Sequence, residues 1–321
     1  MINDLLSREG IAGELIAEFD RLTLEMRDVP SAASAVKRLV HWLENERRRS
    51  FGGGWRLCAE LLRGHEIGRL LRTDPMVRRC QWRPAVANVY DLVEPFVWGW
   101  DDAIEAVIEA DQPGQTVNSV FLAMGVAAAM RERRAMVHAY LAAAARGGAS
   151  AAVLGLGAGR SPETALAAPD GPLDIGQWIA VDPAAGEDAV VRRQKSSRID
   201  RRTMPLLDFL ETRLGTESFD LVYMIDALDG LDDGAAATLV EKAARVIRPN
   251  GRLVLSAFAP DLAEAAYMDA VLDWRPVLRG EGELDALLKS IAVDGRMSIA
   301  TWRGGSERVV FGMLERLSWA A

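Results

Sequence analysis

The sequence has few of the residues that cross-link small folds or bind metal ions. Among its 321 residues are 2 cysteines, Cys58 and Cys80, and 3 histidines, His41, His65 and His138. Two cysteines without a CxxC spacing argue against a disulfide framework and indicate reduced thiols. The histidines are scattered along the chain, so their spacing predicts no metal site.

Long apolar runs and excess positive charge are also missing. The first residues have neither the basic nor the apolar region of a secretory signal, and the most apolar stretch, 117–130, is too short to cross a bilayer. The net charge of −8 gives the chain no general attraction to nucleic acids or anionic membranes. These absences predict a cytoplasmic protein with no membrane span that does not bind nucleic acid.

The chain has two halves that differ in periodicity. Up to about residue 147, apolar residues recur at helical spacing, which predicts helices near 55–72, 84–110 and 117–146. From residue 148, short apolar runs alternate with helical stretches, as in βαβ units, and the last two runs flank a Gly-Gly-Ser turn at 304–306. We therefore predict an all-α domain over 1–147, serving as a cap or a dimerisation surface. An α/β Rossmann-like domain over 148–321 follows, its sheet mostly parallel with a C-terminal antiparallel hairpin.

A glycine-rich turn follows the first predicted strand. The segment reads Val153-Leu-Gly-Leu-Gly-Ala-Gly-Arg-Ser161, and its glycines allow a sharp turn and close approach of the backbone to a ligand. A dinucleotide-binding loop would need glycine or alanine where Arg160 stands, and a phosphate-binding Gly-Lys-Ser/Thr is absent. The pattern instead resembles motif I of S-adenosylmethionine-dependent methyltransferases. This resemblance implies cofactor contacts from Gly155, Gly157, Ala158 and Gly159.

Further elements follow in the order of that fold. A short apolar run ends at Asp182, whose carboxylate can accept hydrogen bonds from both ribose hydroxyls of an adenosine. The alternative is a plain turn formed by Asp182 and Pro183. Met204 follows the third strand, where such folds contact adenine, although it can equally be a core residue. The stretches 219–226 and 243–255 resemble the methyltransferase pattern "FDLV … L.PGG.L".

The C-terminal part is similar to the bacterial methyltransferases that make extracellular-factor 3-hydroxypalmitic acid methyl ester. The similarity rests on Val222-Tyr223, on 227–232 and on 267–284, with Leu272-Asp273-Trp274 in the last. It implies that Tyr223 and Asp226 lie beside the reacting methyl group and that Trp274 walls an acyl pocket, although core packing is the alternative for both aromatic residues. The chain departs from that family at Ala158, Arg160 and 275–276, which puts the acyl substrate in doubt.

A carboxylate acceptor would need no general base, because it is already nucleophilic at neutral pH. It would need a cation, and Arg131, Arg134 and His138 lie on one predicted helix, with Arg134 and His138 on the same face. A solvated basic stripe is the alternative for these side chains. A second reading of the whole chain is a methyltransferase fold that binds S-adenosylmethionine or a protein partner without turnover. Gly155 favours that reading, because many methyltransferases carry an acidic residue at this position.

Overall fold

The computed structural model describes residues 2–50, 53–82, 89–157, 173–183, 199–213, 218–292 and 295–318. The chain forms two compact units. The first, which we call the helical unit, comprises Met1–Ala85, Leu92–Ala128 and Leu262–Arg275. The second, the sheet unit, comprises Val86–Asp91, Ala129–Asp261 and Pro276–Ala321.

This division differs from the two contiguous domains expected on either side of residue 147. Residues 129–145 belong to the sheet unit, because Val137 and Leu141 pack in the same core cluster as the strands. Residues 262–275 belong to the helical unit, and the helix Ala265–Leu272 within them is apolar on nearly all sides and buried throughout except at Asp269. The hydrophobic periodicity of a segment shows which secondary structure it forms. It does not show that a later segment packs with an earlier unit. The role of the helices as a cap or a dimerisation surface stays a prediction.

Helices occupy most of the described chain up to residue 145. They are α1 (Ile2–Arg27), α2 (Val29–Arg49), α3 (Gly53–Gly64), α4 (Glu66–Leu71), α5 (Pro75–Gln81), α6 (Val89–Trp98), α7 (Asp101–Ile108), α8 (Gln112–Leu122) and α9 (Gly125–Ala145). Two long helices expected from the sequence are each divided. The imidazole of His65 accepts the Ile67 N–H and caps α4, and Gly99, at φ 63°, separates α6 from α7.

The sheet unit contains a seven-stranded sheet in the order β3-β2-β1-β4-β5-β7-β6. Its strands are β1 (Ala152–Leu156), β2 (Gln177–Val181), β3 (Ile199–Arg202), β4 (Phe219–Met224), β5 (Ile247–Phe258), β6 (Met297–Arg303) and β7 (Val309–Arg316). The first five strands are parallel, whereas β7 runs antiparallel to both β5 and β6. The predicted Rossmann-like α/β fold with a terminal antiparallel hairpin is confirmed.

Alternate residues of each strand enter two different apolar layers, as the pleat requires. Leu154 and Leu156 pack in one layer with α11 (Asp233–Arg245) and α13 (Glu281–Ile291), whereas Val153 packs in the other layer with α9. The remaining helices are α10 (Leu206–Glu211), beside the first layer, and α12 (Ala265–Leu272), in the helical unit. Helices thus pack on both faces of the sheet, and ligands of open α/β sheets bind at the carboxyl edge of the parallel strands.

The hairpin turn is attached to α9 by a single side chain. The carboxylate of Glu132 accepts the backbone N–H of Gly305 and both the N–H and the hydroxyl of Ser306, the last at 2.5 Å. A side chain at Gly304 would meet the same carboxylate at 2.5 Å, which explains the glycine. Among the described residues, no helix has both the length and the apolarity needed to cross a membrane.

Candidate functional site

The glycine turn lies where β1 ends. Gly157 has a φ of 65° and donates its N–H to the carbonyl oxygen of Val181 at 2.9 Å. A Cβ at this position would approach that of Ala227, in the loop after β4, to 3.0 Å. Both the backbone conformation and the close approach therefore require glycine. Ala158 and Gly159, also expected to contact the cofactor, lie outside the described residues.

The expected ribose-binding carboxylate lies at the end of the neighbouring strand. Asp182 directly follows β2, is buried, and donates its N–H to the carbonyl oxygen of Arg202 at 3.0 Å. Pro183 beside it is exposed. Met204, after β3, is half-buried and packs against the apolar core of the sheet. The structure thus places Gly157 and Asp182 at one edge of two paired strands, where an adenosine-binding turn and its carboxylate belong.

Gly155 and Tyr223 pack together in the core, each one residue before the end of its strand. They are paired residues of β1 and β4, and Tyr223 is only 1% exposed. A Cβ on Gly155 would lie 2.5 Å from the ring and the hydroxyl oxygen of Tyr223. The ring therefore fills the space that a side chain at 155 would occupy. Tyr223 shares a core cluster with Val137 and Leu141 of α9, which is the packing alternative for this residue. The expected contacts of Tyr223 with the reacting groups and of Gly155 with the cofactor stay predictions.

A network of buried charges lies at the carboxyl end of β4. Arg133 holds Asp229 with two nitrogens, at 2.5 Å from Nη1 to Oδ2 and 3.2 Å from Nη2 to Oδ1. Arg134 donates from Nη2 to Oδ2 of Asp226, and Nη1 of Arg133 lies 3.4 Å from Oδ1 of Asp226. Charge-assisted hydrogen bonds thus join the helix before β1 to the loop after β4.

Two aromatic side chains enclose this network. The hydroxyl of Tyr90 donates to Oδ2 of Asp229 and accepts from Nη1 of Arg133 at 3.1 Å. The guanidinium carbon of Arg133 lies 3.7 Å from the ring centroid of Phe258, the last residue of β5. Burial raises the pKa of Tyr90 well above 10, and the charge of Asp229 raises it further. Burial lowers the pKa of Arg133, but the charges of Asp229, Tyr90 and Asp226 and the hydrogen bond to Asp229 together outweigh burial, so the pKa of Arg133 is raised overall.

The expected substrate-binding side chains are only partly brought together. Arg134 is 2% exposed and pairs with Asp226, so it is not a solvated cation. Arg131 is half-buried on the same helix, as is His138, whose Nε2 is buried and has no hydrogen-bond partner. Trp274 is buried in the helical unit, and its proposed contact with an acyl chain stays a prediction.

Sequence reasoning missed four residues of the network: Tyr90, Arg133 in its pairing role, Asp229 and Phe258. Arg133 lies in a run of arginines, and Asp229 lies in an acidic loop after the fourth strand, so both had a signal in the sequence. Tyr90 had no such signal, because it is 139 residues away from Asp229 in the chain.

Residues 154–255 match the family described as "Methyltransferase domain". No curated protein sequence matches this chain significantly. Together, the strand order, the glycine turn after β1 and this match define a methyltransferase domain.

Several solved structures resemble this chain at low sequence identity. A Bordetella parapertussis protein, described as a possible exported protein, is 12% identical, with a TM-score of 0.50 over 79% of this chain and 98% of that one. The Burkholderia thailandensis 1,6-didemethyltoxoflavin-N1-methyltransferase, with bound 1,6-didemethyltoxoflavin and S-adenosylhomocysteine, is 21% identical, with a TM-score of 0.43 over 71% and 88%. The magnesium protoporphyrin IX methyltransferase of Synechocystis PCC 6803, with bound S-adenosylhomocysteine, is 17% identical, with a TM-score of 0.43 over 70% and 96%.

Proposed function

We propose that the protein transfers the methyl group of S-adenosylmethionine to a small-molecule acceptor. The observation that carries the proposal is the pairing of a left-handed glycine turn, Gly157, with a buried carboxylate, Asp182, at the ends of adjacent strands within the methyltransferase domain. Gly157 offers its backbone without a Cβ, and Asp182 suits the ribose hydroxyls. Four further residues complete the proposed cofactor contacts: Ala158, Gly159, Pro183 and Met204.

When bound, S-adenosylmethionine supplies an activated methyl group on a sulfonium, so the protein has to align a nucleophile and exclude water. Asp226 is the described polar side chain best placed for alignment. It follows β4 and precedes Ala227, the residue that packs against the glycine turn. Phe258 and Tyr90 cover the buried side of its network and keep water away from it.

The acceptor expected from the family resemblance is a fatty-acid-like carboxylate, which would give a methyl ester. Such an acceptor needs a cation beside it. The candidates were Arg131, Arg134 and His138, of which Arg134 is paired with Asp226, whereas Arg131 and His138 are half-buried on the same helix. The methyl ester therefore rests on the resemblance alone.

The non-catalytic reading rested on Gly155 in place of an acidic residue. The packing of Tyr223 accounts for this glycine without reference to activity. It therefore no longer favours the non-catalytic reading.

Calorimetric titration of S-adenosylmethionine and S-adenosylhomocysteine, beside NAD and NADP, tests the proposal. We expect binding of the two sulfur compounds alone, and its loss in Asp182→Ala. Asp200→Ala is the matched control, because Asp200 is an exposed aspartate on the neighbouring β3 that pairs only with Arg202 of its own strand. Equal binding by wild type and Asp182→Ala would refute the assignment of Asp182, and no binding at all would refute the function.

A further inference from the structure

The four charges at the end of β4 cancel, and this cancellation bears on the kind of acceptor. Two arginines face two aspartates, and none of the four residues is more than 7% exposed. Among the residues that the structure describes, a carboxylate brought to this place would be a third negative charge with no counter-ion of its own. Burying an uncompensated charge is strongly unfavourable, and Asp226 would repel it directly.

The two aspartates differ in how far their oxygens are engaged. Both oxygens of Asp229 accept hydrogen bonds from Arg133, and one also accepts from Tyr90. In Asp226, Oδ2 accepts from Arg134, whereas Oδ1 has only the long 3.4 Å contact with Arg133. A carboxylate oxygen can accept two hydrogen bonds, so Oδ1 of Asp226 retains room for a donor. Asp226 is also the most exposed member of the four.

Asp226 is next to the proposed donor site along the chain. A Cβ at Gly157 would lie 3.0 Å from the Cβ of its neighbour Ala227, so the loop after β4 approaches the glycine turn closely. An acceptor hydroxyl or amine that donates to Oδ1 of Asp226 would therefore have its oxygen or nitrogen close to that turn. Holding a nucleophile in this way is the main contribution a protein makes to methyl transfer.

Resting on the proposed function, we infer that the acceptor is an uncharged molecule with a hydroxyl or amine group, and that Asp226 accepts its proton. A bond forms between the methyl carbon and the acceptor oxygen or nitrogen, and the bond from that carbon to sulfur breaks. The electron pair of the broken bond stays on sulfur, and the proton passes to Oδ1 of Asp226. A hydroxyl needs this help because it is protonated at neutral pH, whereas a carboxylate does not.

The test uses S-adenosylmethionine with a tritiated methyl group, the full-length protein and the ultrafiltered small-molecule extract of the cells that make it. Methyl esters release labelled methanol in mild alkali, whereas methyl ethers and methylamines keep the label. We expect alkali-stable label with the wild type. In Asp226→Asn we expect transfer to fall by about 10²- to 10⁴-fold, the range for a lost general base, with binding of S-adenosylmethionine retained. Asp285→Asn, which removes a surface pair with Lys289, is the matched control and should transfer normally.

Label that is released by alkali would overturn the inference and leave the proposed function standing. This result is obtained with the wild-type protein alone. Absence of S-adenosylmethionine binding would overturn the proposed function itself. Binding without any transferred label would contradict both turnover and the inference. If Asp226→Asn is folded by circular dichroism and transfers label at the wild-type rate, Asp226 is not the proton acceptor.

Discussion

Replacing Asp74 with asparagine is expected to remove a pH-dependent loss of stability from the helical unit. Asp74 is fully buried, and its Oδ1 accepts the Met76 N–H at 2.9 Å as the N-cap of α5 and the Asn118 amide at 3.2 Å. Its Oδ2 has no hydrogen-bond partner, nor has the buried hydroxyl of Tyr267, on which the charge of Asp74 acts. Asparagine keeps the capping oxygen and removes the charge.

The size of this pH-dependent loss of stability follows from the pKa of Asp74. Burial raises the pKa of Asp74 from 3.8 to about 7, although hydrogen bonds from Met76 and Asn118 and the charge of Arg78 act in the other direction. The folded state therefore holds the proton to higher pH than the unfolded state. The stability that this provides is complete below pH ~4 and is lost as the pH rises through about 7. A shift of about 3 units corresponds to ~4 kcal/mol in all, of which roughly 2.5 kcal/mol falls between about pH 5 and pH 8.

Urea unfolding of wild type and Asp74→Asn at the two ends of that pH range measures the effect. Between about pH 5 and pH 8, the free energy of unfolding of the wild type should fall by roughly 2.5 kcal/mol relative to that of the variant. Asp111→Asn is the matched control, because Asp111 caps α8 in the same way, accepting the Gly114 N–H at 2.9 Å, but is exposed. A difference between wild type and Asp74→Asn that is equal at both pH values would refute the reasoning.

Three further predictions concern the sheet unit. Gly155→Ala should lower the free energy of unfolding by about 1–3 kcal/mol through the clash with Tyr223, and the loss should be smaller in a Tyr223→Leu background, as measured by urea unfolding. Arg133→Met leaves the buried Asp229 without its cation and should cost about 3–5 kcal/mol, and adding Asp229→Leu should recover part of the lost Tm. Gly157→Ala forces a left-handed conformation that costs an alanine about 1–2 kcal/mol, and calorimetry should show weaker binding of S-adenosylmethionine by roughly tenfold.

Each of these has an outcome that contradicts it. Additive losses in the Gly155 and Tyr223 double variant would mean that the two side chains do not compete for space. No recovery of Tm on adding Asp229→Leu would show that the loss in Arg133→Met does not come from an uncompensated charge. Unchanged affinity in Gly157→Ala would place the cofactor away from this turn.

The sequence was sufficient to predict the part of the site that depends on strand ends. Gly157, Asp182 and Asp226 each end or follow an apolar run, and a parallel sheet brings such ends to one edge. The sequence did not show that the ring of Tyr223 packs against Gly155, because an apolar run indicates a strand but not what each of its side chains contacts. In sequence, a glycine that makes room for a ring looks like one that makes room for a ligand.

The sequence by itself determined the secondary-structure order, the terminal hairpin and the glycine turn, because these depend on residues near one another in the chain. It also determined the parallel sheet, because strands that alternate with helices form βαβ units. Only the tertiary structure decided which arginine meets which aspartate, where the two units divide, and that Tyr90 joins the network. Those outcomes depend on pairs such as Arg133 and Asp229, which are 96 residues apart and meet because α9 packs on the sheet. The periodicity of the segment around Arg133 says nothing about the segment around Asp229. Their ion pair, and the cancellation of charge that follows from it, is therefore evident only in the tertiary structure.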